Sequence, residues 1–224
     1  MSASINRRTF MRVAATGAGL GVLSQASVAA GVRAPSDMVR VGIMGVNGRG
    51  NALAQSFARI AGSEVTYICD VDSRAVTKTI AAVSESRNGS ALQQRRPTGV
   101  TDVRRVLDDP DVDALVIAAP DHWHAPATIM ALQAGKHVYV EKPCSHNARE
   151  GELLVEAQRK YDRVVQMGNQ QRSAPRSIEI IQEIRDGLIG RPYYARAWYA
   201  NTRGTIGHGQ IAPVPEWLDY ELWQ

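Results

Sequence analysis

Short apolar runs alternate with longer segments of helical spacing along most of this chain. The apolar runs predict strands, and the segments between them predict helices. The predicted strands are Met38–Met44, Val65–Cys69, a short one near Gly99–Val100, Ala114–Ala118, His137–Glu141 and Val164–Met167. The predicted helices are Gly50–Ile60, Arg74–Ser86, Asp102–Leu107, Pro126–Gln133 and Ala148–Tyr161, the last capped by Asn147 and Glu150. This alternation indicates βαβ units and therefore an α/β fold with a doubly wound parallel sheet of the Rossmann type.

The pattern changes after residue 167. Arg176–Gly187 has helical spacing, and the aromatic run Pro192–Thr202 predicts a strand of antiparallel character. We therefore assign residues 31–167 to a Rossmann domain and residues 168–224 to the start of an incomplete second α/β domain with a largely antiparallel sheet. Alternate residues of such a strand normally face a core, so an uncovered face would favour a homo-oligomer formed through this sheet.

The first 30 residues have the pattern of an export signal. Arg7 and Arg8 form a twin-arginine pair ahead of a mildly apolar, Gly- and Ala-rich run, and small residues near Ala30 supply a cleavage site. The run is too short and too glycine-rich for a stable membrane span. We expect export to the periplasm by the twin-arginine route; the alternative is a disordered basic N-terminus.

Composition excludes some classes of partner. The chain has 224 residues, 44% hydrophobic and 21% charged, as in soluble globular proteins. Its net charge of +4 falls to +1 once the three arginines of the signal are removed, which argues against nucleic-acid binding. The two cysteines, Cys69 and Cys144, form neither a disulfide framework nor a CxxC metal pattern. Cys69 is predicted to lie in the core, whereas Cys144 has either a packing or a functional role.

A glycine cluster joins the first predicted strand to the first helix. Gly45 supplies a tight turn, Gly50 lets the helix pack closely, and the helix N-terminus offers N–H groups to a pyrophosphate. Asn47 stands at the usual middle glycine and tolerates left-handed dihedrals, and Gly48 follows it.

Asp70 follows the second predicted strand, about twenty residues beyond Gly50. There its carboxylate can accept both ribose hydroxyls of an adenosine, which favours NAD over NADP. Two alternatives stay open, since Arg74 could cradle a 2′-phosphate and Asp70 could instead cap a helix.

Two further segments carry candidate chemistry. Ala119–His124 follows the central strand and contains two histidines, an Asp and a Trp, which suits either a metal site or a cofactor-facing loop. Since no third ligand stands at a recognisable spacing, we predict no metal; His124 would begin the Pro126 helix and hydrogen-bond within the loop.

Lys142 follows the predicted strand His137–Glu141, at the edge where a parallel sheet binds its ligands, and Pro143 fixes the turn. It either faces a ligand or is a surface lysine.

The segments GVNGRG, CDVD, AAPDHWHAPATIMALQAGKHVYVEKP and QMGNQQRS, with the closing VPEWLDYELW, resemble the Gfo/Idh/MocA oxidoreductases from about Met38 onward. The resemblance implies that Lys142 lies by the nicotinamide, helps to bind substrate and shuttles its proton, for which partial burial would suit it. It also implies a cis Lys142–Pro143 bond and a substrate contact at Arg172. The predicted cofactor contacts are Gly45, Asn47, Gly48, Arg49, Gly50, Asp70, Pro120, His124, Glu141 and Lys142.

The implied function is an NAD-dependent oxidoreductase, with NADP possible, that moves a hydride to or from a sugar, polyol or related hydroxyl. One alternative is an NAD-dependent glycoside hydrolase of the same fold, although such relatives tend to replace the lysine found here as Lys142. Another is a nucleotide-binding fragment without activity. In the family, a later part of the second domain supplies an Asp and a His to the catalytic set, so we expect a C-terminally truncated chain.

Overall fold

The structure is a computed structural model that describes residues 38–86, 95–200, 202, 204–205 and 207–224. The predicted signal in residues 1–30 lies outside the described residues. Six strands form one parallel sheet in the order β3-β2-β1-β4-β5-β6, which confirms the predicted Rossmann arrangement. The strands are β1 (Val39–Met44), β2 (Ser63–Cys69), β3 (Thr98–Val100), β4 (Ala114–Ile117), β5 (His137–Glu141) and β6 (Val165–Gly168).

Helices connect the strands and cover both faces of the sheet. They are α1 (Arg49–Arg59), α2 (Ser73–Glu85), α3 (Arg104–Leu107), α4 (Asp121–Gln133), α5 (Ala148–Tyr161), α6 (Pro175–Arg185) and α7 (Tyr220–Trp223), with a 3₁₀ helix over Gln170–Ser173. One core lies between the sheet and α1 and α2, and the other lies between the sheet and α3, α4 and α5. Buried β-branched residues of β1 and β4 separate the two, as a parallel sheet covered on both faces requires.

Local signals explain where several elements begin. The Asn147 side-chain oxygen accepts a hydrogen bond from the Glu150 N–H across 3.0 Å, and Asn147 Nδ2 donates to the Glu150 carboxylate across 2.8 Å, so the predicted cap of α5 is confirmed. The prediction that a helix begins at Pro126 was wrong. Pro120, with φ −57°, already turns the chain into α4, and Asp121 in the first turn favours a helix N-terminus there. Pro126 therefore lies inside the helix.

The segment after α6 does not form the predicted strand. Residues 192–200 and 202 have no regular secondary structure, and Tyr193, Tyr194 and Trp198 are exposed. A strand needs a neighbour for its N–H and C=O groups, and no strand of the described residues pairs with this segment. In the part of the chain that the structure describes, no helix has both the length and the hydropathy needed to span a bilayer.

Candidate cofactor-binding site

A cavity of about 590 Å³ opens at the carboxyl ends of the strands. It lies where the strand order reverses between β1 and β4, the place at which open α/β sheets bind their ligands. Its walls come from the glycine turn after β1, the ends of β2 and β4, and the C-terminal segment. They include Gly45, Asn47, Gly48, Arg49, Asp70, Asp72, Arg74, Pro120, Trp123, Trp217, Leu218, Leu222 and Trp223.

The glycine turn needs glycine at two positions for different reasons. Gly45 has φ +80°, and a Cβ there would lie 2.3 Å from the Ala119 nitrogen. A Cβ at Gly50 would lie 2.0 Å from the Gly45 carbonyl oxygen, so helix α1 can pack on the turn only without a side chain. Gly48 differs, because a Cβ there would meet no protein atom within 4 Å. The turn thus leaves open space beside the backbone that begins α1.

Asp70 follows β2 and lies directly against the glycine turn. Its carboxylate accepts hydrogen bonds from the Val46 N–H across 2.6 Å and from the Asp72 N–H across 2.9 Å. The helix-cap alternative for Asp70 was wrong, because Asp72 caps α2 by accepting from the Arg74 N–H across 2.9 Å. A carboxylate has about four acceptor positions, so Asp70 can accept further hydroxyl donors from a ligand.

Arg49 connects the glycine turn to the end of β5. Its Nε donates to Glu141 Oε1 across 2.8 Å, and this hydrogen bond raises the pKa of Arg49 above its ordinary value. The Glu141 side chain is only 6% exposed and also accepts from Gln170 Nε2 across 3.1 Å. Glu141 does not line the cavity, but it fixes the arginine that does.

Lys142 lies at the end of β5, and the predicted cis peptide bond to Pro143 is confirmed. The expectation that Lys142 is partly buried was wrong: the turn after β5 leaves the side chain exposed. Arg172 is also exposed, in the 3₁₀ helix after β6. Both cations therefore lie at the carboxyl edge of the sheet but outside the cavity walls.

His124 is buried, with 2% of its surface exposed, and it does not line the cavity. Its Nε2 lies 2.8 Å from the Ala119 carbonyl oxygen, and its Nδ1 contacts the carbonyl oxygen of Pro143. The ring thus joins the loop after β4 to the turn after Lys142.

Gly50 is also outside the walls, since it packs on Gly45. Among the described residues, no group of three His, Cys, Asp or Glu could hold a metal ion.

Sequence reasoning missed the contribution of the C-terminal segment Pro215–Trp223. Its backbone pairs with the connection between β2 and α2: Ser73 N donates to the Trp217 carbonyl across 3.1 Å, and Asp219 N donates to the Val71 carbonyl across 3.0 Å. At the other end, Trp123 Nε1 donates to the Trp223 carbonyl across 3.3 Å. The available sequence signal was the concentration of two Trp and two Leu within Trp217–Trp223, which is typical of a packed segment.

Comparison with known proteins agrees with this geometry. Residues 39–169 match the sequence model of the Gfo/Idh/MocA oxidoreductases, described as an oxidoreductase family with an NAD-binding Rossmann fold. A glycosyl hydrolase family 109 protein of Saccharopolyspora erythraea is 31% identical over 256 residues, covering 96% of this chain and 55% of the relative. An alpha-N-acetylgalactosaminidase of Shewanella oneidensis is 27% identical over 176 residues, covering 75% of this chain and 37% of the relative. The chain thus spans about half or less of these relatives.

Solved structures share the fold. The myo-inositol dehydrogenase of Lactobacillus casei, in complex with NAD(H) and myo-inositol, superposes with a TM-score of 0.59 at 24% identity, covering 69% of this chain and 43% of that one. A 3-ketoreductase of Actinomadura kijaniata, in complex with NADP, gives 0.59 at 22% identity, covering 68% and 45%. The glycine turn, the acid after β2 and the family match over all six strands lead to one conclusion: this chain belongs to the Gfo/Idh/MocA oxidoreductase family.

Proposed function

We propose that the chain binds NAD in the cavity between β1 and β4, as the cofactor half of an oxidoreductase acting on a sugar, polyol or related hydroxyl compound. The observation that carries the proposal is the position of Asp70, which the backbone N–H groups of Val46 and Asp72 hold against the glycine turn. An acid at this place suits the two ribose hydroxyls of NAD.

The cavity fits a dinucleotide in shape and in chemistry. The open space beside Gly48 and the N-terminus of α1, an 11-residue helix, suit a pyrophosphate. Asn47, Gly48 and Arg49 would contact that group, and Asp70 would contact the adenosine ribose. Pro120 forms the cavity wall after β4. When bound, the nicotinamide supplies hydride acceptor or donor chemistry that no side chain of the protein can provide.

Lys142 is the residue we assign to the substrate proton. It lies directly after Glu141, which the Arg49 hydrogen bond holds at the edge of the cavity. An ammonium group here can hold or release a proton at a substrate hydroxyl, and Arg172 after the neighbouring strand can bind the same substrate. The Lactobacillus dehydrogenase, a fold relative, is described in complex with the polyol myo-inositol, which supports a hydroxyl-bearing substrate.

A glycoside hydrolase that uses NAD is the second candidate, because both sequence relatives described above, like six others, carry hydrolase names. The presence of Lys142 favours net oxidation or reduction instead. The two activities differ in their products. A hydrolase releases free sugar with no net change in NADH absorbance, whereas an oxidoreductase changes that absorbance in proportion to product.

Three further features belong to this proposal. We propose that residues 1–30 direct export through Arg7 and Arg8, that residues after 168 begin a substrate domain with an antiparallel sheet, and that this sheet forms an oligomer. Export is tested by fusing residues 1–35 to a reporter. Loss of export when both arginines become lysine supports the proposal, and unaffected export contradicts it.

Calorimetric titration of NAD into the 224-residue chain tests the binding role. Asp70→Ala should weaken binding by about 1–3 kcal/mol, because the ribose hydroxyls lose their acceptor. Asp113→Ala is the matched control, since Asp113 also accepts a backbone N–H, from Arg40 across 2.7 Å, but does not line the cavity. Unchanged NAD affinity in Asp70→Ala would overturn the assignment.

A further inference from the structure

Arg74 is held on two sides at the end of the cavity where Asp70 lies. Its Nε and one terminal nitrogen donate to the two oxygens of Asp72 across 3.0 and 2.8 Å. Its guanidinium carbon also lies 3.2 Å from the centre of the Trp217 ring. A bidentate carboxylate pair combined with stacking on an indole is a strong restraint on an arginine.

Trp217 is itself a fixed surface. Its backbone carbonyl accepts from Ser73 N, and the next residue, Leu218, forms an antiparallel bridge with Asp72. The segment is also attached at its far end, because His122 Nε2 lies 2.8 Å from the Trp223 carbonyl oxygen. The indole therefore stays against Arg74 without help from a ligand.

This arrangement bears on the choice between NAD and NADP. The two differ by a 2′-phosphate on the adenosine ribose, a group with about −1.5 to −2 charge near neutral pH. An arginine close to the acid after β2 is the usual means of accepting that phosphate. Here the charge of Arg74 is balanced by Asp72, while Asp70 adds a second carboxylate at the same place. A 2′-phosphate would approach a carboxylate without a mobile cation to meet it.

We propose that Asp72 and Trp217 are positioning residues that hold Arg74 away from the 2′-phosphate and thereby make the site selective for NAD. This inference rests on the proposed function, because it assumes that a dinucleotide occupies the cavity. It assigns the cofactor preference jointly to the N-cap of α2 and to the C-terminal segment.

The test is calorimetric titration of both NAD and NADP into the full chain and its variants, with thermal melting to check the fold. The wild type should bind NAD at least about tenfold more tightly than NADP. This ratio corresponds to the free energy of one hydrogen bond to a charged group. Asp72→Asn keeps a good helix cap but frees Arg74, so it should reduce this ratio about tenfold by improving NADP. Trp217→Ala should reduce the ratio less, and Trp217→Phe, which keeps a stacking ring, should not change it.

A second variant identifies the cation responsible. Arg74→Met added to Asp72→Asn should remove the gain in NADP affinity. A gain that survives Arg74→Met would show that Arg74 is not the cation that meets the phosphate, and it would overturn the inference. If Asp72→Asn does not fold, the same comparison is made with Trp217→Ala.

The outcomes separate this inference from the proposed function. If neither dinucleotide binds the wild type, both are wrong. If NADP binds the wild type more tightly, or if folded Asp72→Asn and Trp217→Ala keep the wild-type ratio, the inference is wrong while dinucleotide binding stands.

Discussion

Arg49 donates a hydrogen bond to Glu141 across 2.8 Å, although the two residues are 92 positions apart in sequence. Arg49 begins α1 directly after the glycine turn, and Glu141 ends β5 directly before Lys142. The bond therefore fixes the distance between the part of the cavity that suits a pyrophosphate and the turn that carries the candidate catalytic lysine.

The two partners of this bond should differ in their contribution to stability. Arg49→Met leaves a carboxylate that is 6% exposed with Gln170 as its partner, whereas Glu141→Gln leaves an arginine that is 45% exposed to water. We expect Arg49→Met to lower the free energy of unfolding by about 1–3 kcal/mol and Glu141→Gln to lower it less. Urea unfolding checks this, with Arg59→Met at the exposed end of α1 as the control. Equal losses in both variants would contradict the argument.

The two cysteines should differ in reactivity. Burial raises the pKa of Cys69 to about 12, and the thiolate is the reactive form of cysteine. Cys144 is only partly buried. At pH 8 a disulfide reagent should therefore modify one thiol in the folded chain and both in urea, and Cys144→Ser should abolish the reaction of the folded chain. Fast modification of the folded Cys144→Ser variant would show that Cys69 is accessible.

Acid should weaken the fold partly through Asp72. Hydrogen bonds from the Arg74 side chain hold the pKa of Asp72 below its ordinary value. Because the pKa of Asp72 is lower in the folded chain than in the unfolded chain, ionised Asp72 stabilises the fold. This stabilisation is fully present above the unfolded-state pKa of about 4 and is lost as the pH falls through the folded-state pKa. Asp72→Asn should therefore flatten the decline in unfolding free energy below about pH 5. Parallel acid titrations of wild type and variant that decline equally would contradict this.

Lys142 should matter for turnover and much less for cofactor affinity. In an enzyme that carries a complete second domain, Lys142→Met should reduce turnover by about 10²–10⁴-fold, the usual share of general acid–base catalysis. NAD affinity should change little, because Lys142 lies outside the cavity walls. Steady-state kinetics and NAD titration on wild type and variant together check this. A near-normal rate in Lys142→Met would make the lysine a solvated turn residue.

Much of the sheet could be predicted because its signals are local. The apolar run His137–Glu141 forms β5 with the predicted bounds, and the Asn147 cap begins α5 where the sequence places it. Helix α4 was misplaced because proline at a first turn is a common start signal, yet Pro120 and Asp121 had already provided one.

The parts of the site that were missed depend on contacts between distant residues. The bridge from Asp72 to Leu218 and the stacking of Arg74 on Trp217 join positions more than 140 residues apart in the printed sequence. Neither partner carries a local pattern that identifies the other. The exposure of Lys142 was also misjudged, since burial at the end of a strand depends on the segments that pack around it.

The central claim is that NAD binds against the glycine turn, and Gly48 offers the most direct test. A Cβ there would meet no protein atom within 4 Å, so the side chain of Gly48→Val should occupy space at the cavity wall. Gly209→Val is the control, because Gly209 also has open space around it but lies away from the cavity. Calorimetric titration should show NAD binding to the wild type and to Gly209→Val, and affinity at least about tenfold lower in Gly48→Val, a loss of about 1.4 kcal/mol. Equal NAD affinity in a folded Gly48→Val chain, or no binding to the wild type, would contradict the account.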